Sequence, residues 1–230
     1  LVLVLDGLDE ARKDDPIMSS LPRDVPPGVV VLYGSRPQKL LRYGFYDELD
    51  RERRSCVDLA GLSLADTRAL LYAHVDKYAL EAAYAEAVLK RSDGNPLYLK
   101  LLCQGLEQGI YTLNVRDDLP SGMKELYTNA LVRIHEESPR AVDLLTLLAA
   151  ARDFVSPAMA GELMGMSEGG VEAGPLSACM ELLYENPLTE DIDDYQLFHE
   201  SLREHLRQQK ESDVIAWEEK LAEWASDWRE

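Results

Sequence analysis

The sequence is poor in cysteine, and its three cysteines lie far apart among the 230 residues. Cys56, Cys103 and Cys179 form none of the short pairs that bind zinc or mark a redox motif. The four histidines also lack a zinc-binding spacing, and no Gly-x-Ser-x-Gly nucleophile motif occurs. These absences argue against zinc and serine hydrolases, and we expect reduced, mostly buried thiols.

Long apolar runs are also missing. The first apolar run, Leu1 to Leu5, is too short for the core of a signal peptide and follows no basic segment. No later run approaches the length that a membrane-spanning helix needs. We therefore expect a cytoplasmic protein without a membrane partner.

Basic residues are scarce relative to acids. The chain has 24 Lys and Arg against 42 Asp and Glu, which gives a formal net charge of -18. A surface of this charge repels polyanions, so nucleic acid is not expected as a partner. Hydrophobic residues make up 46% of the chain, which is ordinary for a packed globular protein.

An apolar run that leads directly into acids is the most informative segment, Leu1-Val2-Leu3-Val4-Leu5-Asp6-Gly7-Leu8-Asp9-Glu10. Such a run predicts a strand buried on both faces of a parallel sheet, where ligands bind beyond the carboxyl ends of the strands. Three carboxylates at that end repel one another and lose hydration, which favours a divalent cation or a polarised water. The alternative is a core strand followed by a solvated acidic turn.

The rest of the chain changes from strands to helices near Gly61. Val29–Tyr33 predicts a second strand and Ser55–Leu59 a weaker third. Ser63 and Asp66 form a capping-box pattern at the start of the first helix. Polar residues between apolar arms predict a β-hairpin over 186–198. Further helices are predicted over 80–90, 97–106, 123–136, 140–150, 157–163, 167–184 and 212–228.

The last predicted helix carries Trp217, Leu221, Trp224 and Trp228 at i, i+4, i+7 and i+11. This spacing forms one apolar stripe. We favour packing against the core of this chain over docking of a further domain.

Four separated segments resemble, in this order, those of STAND-class NTPases of the NACHT and NB-ARC type. They are the Walker B segment Leu1 to Ala11, the strand end Gly34-Ser35-Arg36-Pro37, the helix start Gly94-Asn95-Pro96-Leu97, and Phe198-His199-Glu200-Ser201-Leu202-Arg203-Glu204-His205-Leu206. The resemblance implies the C-terminal part of an α/β P-loop NTPase core with a parallel sheet (1–60), a helical lid (61–115), a winged-helix domain (116–211) and a helix leading to a missing downstream domain (212–230). The chain would be mostly α overall.

The resemblance also implies roles for four residues of the NTPase core. Asp6 is the residue associated with Mg²⁺, while Asp9 and Glu10 share the positioning and activation of the attacking water. Arg36 matches the sensor arginine that contacts the γ-phosphate; an ion pair with nearby acids is its alternative role.

Two further residues are implied to bind nucleotide outside the core. Pro96 matches the proline that lies against adenine, and it also suits the first turn of a helix. His199 matches the winged-helix histidine that contacts the β-phosphate of ADP; a purely structural histidine is the alternative.

A phosphate-binding loop is missing, because no Gly-Lys dipeptide occurs in the sequence. We therefore expect a fragment that lacks the P-loop and does not hydrolyse ATP by itself. The resemblance implies that the complete protein is a switch ATPase, closed with ADP and forming homo-oligomers with ATP, whose sensor and effector parts lie elsewhere. The alternatives are a winged-helix DNA-binding module and a scaffold that binds nucleotide without hydrolysis.

Overall fold

The computed structural model describes residues 1–7, 25–35, 57–75, 79–151, 153–186 and 194–227. It divides into two compact units, Leu1–Leu59 and Ala60–Glu230. Each unit has its own internal packing and is described separately below.

The N-terminal unit contains a pair of parallel strands, β1 (Val2–Leu5) and β2 (Val30–Tyr33). Their register pairs Val2 with Val30 and Leu5 with Tyr33. Both strands consist of Val, Leu and Tyr, which suit an extended backbone. The strands predicted at the start of the chain and at 29–33 and their parallel pairing are confirmed. The expectation that the first strand is buried on both faces is wrong, because Val2 is 61% and Val4 63% exposed.

The third predicted strand, over 55–59, is wrong for the residues that the structure describes. Val57, Asp58 and Leu59 are irregular, and their side chains are exposed, with Leu59 at 94%. In the described part of the chain, they pair with neither β1 nor β2. Ser55 and Cys56 lie outside the described residues.

The second unit begins with helices α1 (Leu64–His74), α2 (Ala82–Ser92) and α3 (Pro96–Glu107). The predicted capping box of α1 is confirmed, because the Ser63 hydroxyl accepts from the Asp66 amide and the Asp66 carboxylate accepts from the Ser63 amide. Helices α2 and α3 lie within two residues of their predicted bounds.

Helix α5 (Pro139–Ala151) is the most buried helix of the described chain. Nine of its thirteen residues are buried, so it carries apolar side chains on nearly every face. Helices α4 (Met123–Glu137), α9 (Glu200–Gln209) and α10 (Glu211–Asp227) pack against it. The mostly helical composition of the chain is confirmed.

The long helix predicted over 167–184 is interrupted and ends early. The chain forms α7 (Glu168–Val171), a π-helical turn (Glu172–Leu176), α8 (Ser177–Cys179) and a 3₁₀ turn (Met180–Leu182). Pro175 explains the wide turn, because proline has no N–H to donate and its ring clashes with the preceding turn. Helix α6 (Pro157–Met164) precedes this region and matches its prediction.

An antiparallel pair, β3 (Leu183–Glu185) and β4 (Tyr195–Leu197), forms a hairpin whose second strand lies within the predicted range 186–198 and whose first strand lies before it. Its first arm begins at Leu183, earlier than predicted, where the predicted helix has already ended. Val155 exchanges two backbone hydrogen bonds with Tyr195, of 2.9 and 3.0 Å, and so extends β4 on its other side. The hairpin turn and its acids Glu190, Asp191 and Asp193 lie outside the described residues.

The apolar stripe of α10 packs within this chain. Trp217, Leu221 and Trp224 are partly buried against the hydrophobic core, and Val214 on the same helix is 2% exposed. The preferred interpretation of the stripe is confirmed for these residues. Cys103 and Cys179 are buried free thiols, as expected, and Cys56 lies outside the described residues.

Candidate functional site

The Asp6 carboxylate lies at the carboxyl end of β1, beside the residue that follows β2. Because Leu5 pairs with Tyr33 in a parallel register, Asp6 is level with Gly34. The Gly34 amide donates to the Leu5 carbonyl at 2.9 Å, and the Gly7 amide donates to Asp6 Oδ1 at 2.9 Å. Asp6 of the first predicted motif and Gly34 of the second therefore lie at the same edge of the sheet.

Gly34 leaves space that the Asp6 carboxylate fills. A Cβ added to Gly34 would overlap Asp6 Oδ1 and lie 3.0 Å from Asp6 Cγ. Any larger residue at position 34 would therefore displace the carboxylate. Gly34 was not among the predicted site residues, and a glycine directly after an apolar strand is the signal that points to it.

The other predicted residues of the NTPase core, Asp9, Glu10 and Arg36, lie outside the described residues. Their roles stay predictions. The Asp6 carboxylate is exposed, and its role at Mg²⁺ also stays a prediction. Across the described ranges, no group of three or more His, Cys, Asp or Glu side chains could hold a metal ion.

Pro96 is the first residue of α3 and is exposed. The side chain of Asn95 caps this helix, because its Oδ1 accepts from the Leu97 amide at 2.8 Å and from the Tyr98 amide at 3.3 Å. A proline needs no such partner for its nitrogen and is preset for helical φ. The predicted helix-start role of Pro96 is confirmed, and its contact with adenine stays a prediction.

The loop before Pro96 is held against the start of the second unit. Gly94 has φ of 69°, and its carbonyl accepts from the Leu62 amide at 2.8 Å. A Cβ at Gly94 would lie 2.7 Å from the Leu62 carbonyl oxygen. Both the conformation and the close approach require glycine, so this motif residue fixes where Pro96 lies.

His199 caps the N-terminus of α9 and is exposed. Its Nδ1 accepts from the Ser201 amide at 3.0 Å and lies 2.8 Å from the Ser201 hydroxyl, which in turn lies 2.8 Å from the Tyr127 hydroxyl. This capping supports the structural alternative for His199. Its predicted contact with a phosphate is untested.

Lys100 links the surroundings of Pro96 and His199 within the second unit. It lies one turn after Pro96 on α3, and its Nζ is 5.6 Å from the centre of the Phe198 ring. Phe198 directly precedes His199, and the centres of their rings are 6.3 Å apart. The structure therefore places α3 beside the junction of β4 and α9. Lys100 was not predicted as a site residue, although its spacing from Pro96 places the two on one helix face.

His205 is buried on the same helix that His199 caps. Its side chain is 5% exposed, its Nε2 lies 3.5 Å from the Thr128 hydroxyl, and its ring centre is 5.5 Å from that of Tyr127. Burial, and to a smaller extent the positive charge of Lys124, lower the pKa of His205. The imidazole is therefore held neutral at neutral pH.

This burial predicts a pH-dependent stability. The unfolded chain binds a proton at His205 more tightly than the folded chain, so the free energy of unfolding should fall as the pH drops below about 6.5. One proton limits the slope to about 1.4 kcal/mol per pH unit. Urea denaturation of the wild type and of His205→Gln should diverge with pH below about 6.5 and run parallel above it. Exposed His135→Gln is the control; equal pH profiles for wild type and His205→Gln would contradict the prediction.

No helix in the described part of the chain is both long enough and apolar enough to cross a membrane.

Comparisons with known proteins find little similarity. No family model matches the chain, and neither does any curated protein. Among solved structures, a RuvB mutant from Thermotoga maritima is 15% identical, and the match covers 90% of this chain and 69% of that one with a TM-score of 0.28. At this TM-score, the likeness carries no argument about fold or activity.

Proposed function

We propose that this chain is part of a nucleotide-dependent switch ATPase of the STAND class. The observation that carries this proposal is the position of the Asp6 carboxylate against Gly34. An acid that follows one apolar strand and a glycine that follows the next meet at the carboxyl edge of a parallel pair, which is where parallel sheets bind ligands. The resemblance of the four sequence segments supports the assignment to this class.

Phosphoryl transfer requires positioned charges more than covalent chemistry by the protein. Asp6 would hold Mg²⁺, which neutralises phosphate charge when it is bound. Asp9 and Glu10 position the attacking water and accept its proton, and Arg36 offers two parallel N–H donors to the γ-phosphate.

The phosphate-binding loop of this proposal lies outside the chain. In the described part of the chain, β2 pairs with β1 in a two-stranded parallel sheet. The side chains of β1 are exposed, with Val2 at 61% and Val4 at 63%. A buried strand of this composition normally has neighbours on both faces, and an upstream P-loop segment would supply part of that cover.

The helical unit contributes the switch. Pro96 contacts the adenine and His199 the β-phosphate of ADP, which stabilises a closed state. ATP favours an open state that forms homo-oligomers. A ligand shifts such an equilibrium only if it binds the two states with different affinities. ATP and ADP differ by the γ-phosphate, so this group must change the relative affinity for the open and closed states.

The proposal is tested by the Mg²⁺ dependence of ATP binding. In the gene product that carries this chain together with the proposed P-loop, Asp6→Asn should weaken Mg²⁺-dependent ATP binding by roughly 10- to 100-fold, because a metal-associated carboxylate is lost. ATP binding is measured by titration calorimetry with excess Mg²⁺ and with excess EDTA. Asp58→Asn, an exposed aspartate of the same unit, removes the same charge and should match wild type. Absence of ATP binding by the wild type, or equal Mg²⁺ dependence in wild type and Asp6→Asn, would refute the proposal.

A further inference from the structure

Lys100 presents a positive charge beside both residues that the helical unit is proposed to use. It lies four residues after Pro96 on α3, so the Cβ atoms of the two are about 5–6 Å apart on one face of the helix. Its side chain is exposed, so the ammonium group is accessible to a ligand in solvent.

The ammonium of Lys100 lies over an aromatic ring. Its Nζ lies 5.6 Å from the centre of the Phe198 ring, on the side of the unit where His199 follows Phe198. Within the part of the chain that the structure describes, no ion pair involves Lys100.

A contact between an ammonium and an aromatic ring at an exposed position is weak. A phosphate carries a full negative charge and several acceptor oxygens, so it competes effectively for the same ammonium. Lysine also reaches through four flexible bonds, which allows Nζ to move without any change in the backbone of α3.

We propose that Lys100 binds a phosphate group of the nucleotide, and that it exchanges its contact with Phe198 for this one. The inference rests on the proposed function, since it adds a residue to the same nucleotide site. Lys100 would bind ADP but not adenosine, because only ADP carries phosphates. Pro96, on the same helix, is proposed to contact only the base. Because Phe198 adjoins His199, the exchange also connects phosphate binding to the junction of β4 and α9.

The test compares ADP with adenosine as probes of the complete gene product. Lys100→Gln should weaken ADP binding about tenfold, as expected for loss of one charge-assisted contact, and should leave adenosine binding within about twofold of wild type. Lys100→Arg should retain most of the ADP affinity, because it keeps the charge. Lys90→Gln, an exposed lysine on the neighbouring α2, is the matched control and should change neither affinity.

A second variant tests the exchange itself. Phe198→Leu removes the ring that competes for the ammonium while retaining an apolar side chain, so ADP should bind as tightly as to wild type or up to about threefold more tightly. Thermal melting confirms that each variant is folded. Weaker ADP binding by a folded Phe198→Leu variant would overturn the exchange.

The outcomes separate this inference from the proposed function. If wild type binds ADP and Lys100→Gln binds it equally well, the inference is wrong and the nucleotide site stands. If Lys100→Gln weakens ADP and adenosine by the same factor, Lys100 has only a structural role and the inference is again wrong. If wild type binds neither ADP nor ATP, the proposed function itself fails.

Discussion

Glu10→Gln should lower the rate of ATP hydrolysis by roughly 10²- to 10⁴-fold in the gene product that carries the P-loop, while ADP binding stays within about twofold of wild type. The amide of glutamine has nearly the size of the carboxylate and can still orient a water molecule by hydrogen bonding. It cannot accept the proton that the attacking water loses. The expected loss is therefore in turnover rather than in binding of the product.

Asp9→Asn separates the two acids, whose roles the sequence leaves undivided. If Glu10 is the base, Asp9→Asn should have the smaller effect on turnover, and the reverse order would assign the base to Asp9. Single-turnover measurements of phosphate release isolate the chemical step from product release. Asp15→Asn, an acid beyond the motif, is the control for the loss of one negative charge. Unchanged hydrolysis in both Glu10→Gln and Asp9→Asn would remove these residues from the mechanism.

Local signals in the sequence predict most of the helical unit. Ser63 with Asp66, Asn95 before Pro96, and Ser156 before Pro157 each mark a helix start that the structure confirms. These signals work because a cap and its helix interact within a few residues of sequence.

Contacts between distant parts of the chain are the ones that the sequence does not reveal. The contact of Gly34 with the Asp6 carboxylate depends on the register of β1 and β2, which the sequence does not specify. Pro175 marks a possible break in the helix predicted over 167–184. The sequence does not show whether the helix ends there or continues through a π-helical turn, as it does in the structure. The contact of Lys100 with Phe198 likewise depends on how α3 packs, which periodicity alone does not specify.

Arg203 illustrates the same limit, because its partners lie on a distant helix. It belongs to the segment around His199, where the resemblance points only to the histidine. In the structure Arg203 is 8% exposed, and its Nη1 donates to the carbonyls of Leu148 and Ala149 at 3.3 Å each. Its Nε also pairs with Glu200 at 3.0 Å. The guanidinium thus satisfies carbonyls in the last turn of α5, where a positive charge is favourable.

Arg203→Ala should therefore destabilise the helical unit by about 1–3 kcal/mol, which is the usual cost of removing a charged hydrogen-bond donor from buried acceptors. The loss removes the ionic partner of Glu200, whose side chain is 32% exposed, and a donor to two carbonyls, of which Ala149 also accepts from Arg207 at 3.5 Å. For a chain of this size the melting temperature should fall by roughly 2–12 °C. Arg203→Met keeps the apolar stem and should recover only the part of the loss that comes from packing.

Urea denaturation followed by circular dichroism measures the effect, since the unit is mostly helical. Arg140→Ala is the matched control on the first turn of α5. Its side chain is 56% exposed and lies 3.9 Å from Asp143, so its loss should cost less than about 1 kcal/mol. A cost for Arg203→Ala no larger than that of Arg140→Ala would show that the end of α5 does not depend on this guanidinium. A large cost would mean that Arg203 holds α9, the helix that His199 caps, to the core. An effect of a His199 variant on ADP binding could then be assigned to the imidazole, because Arg203 would still keep α9 in place.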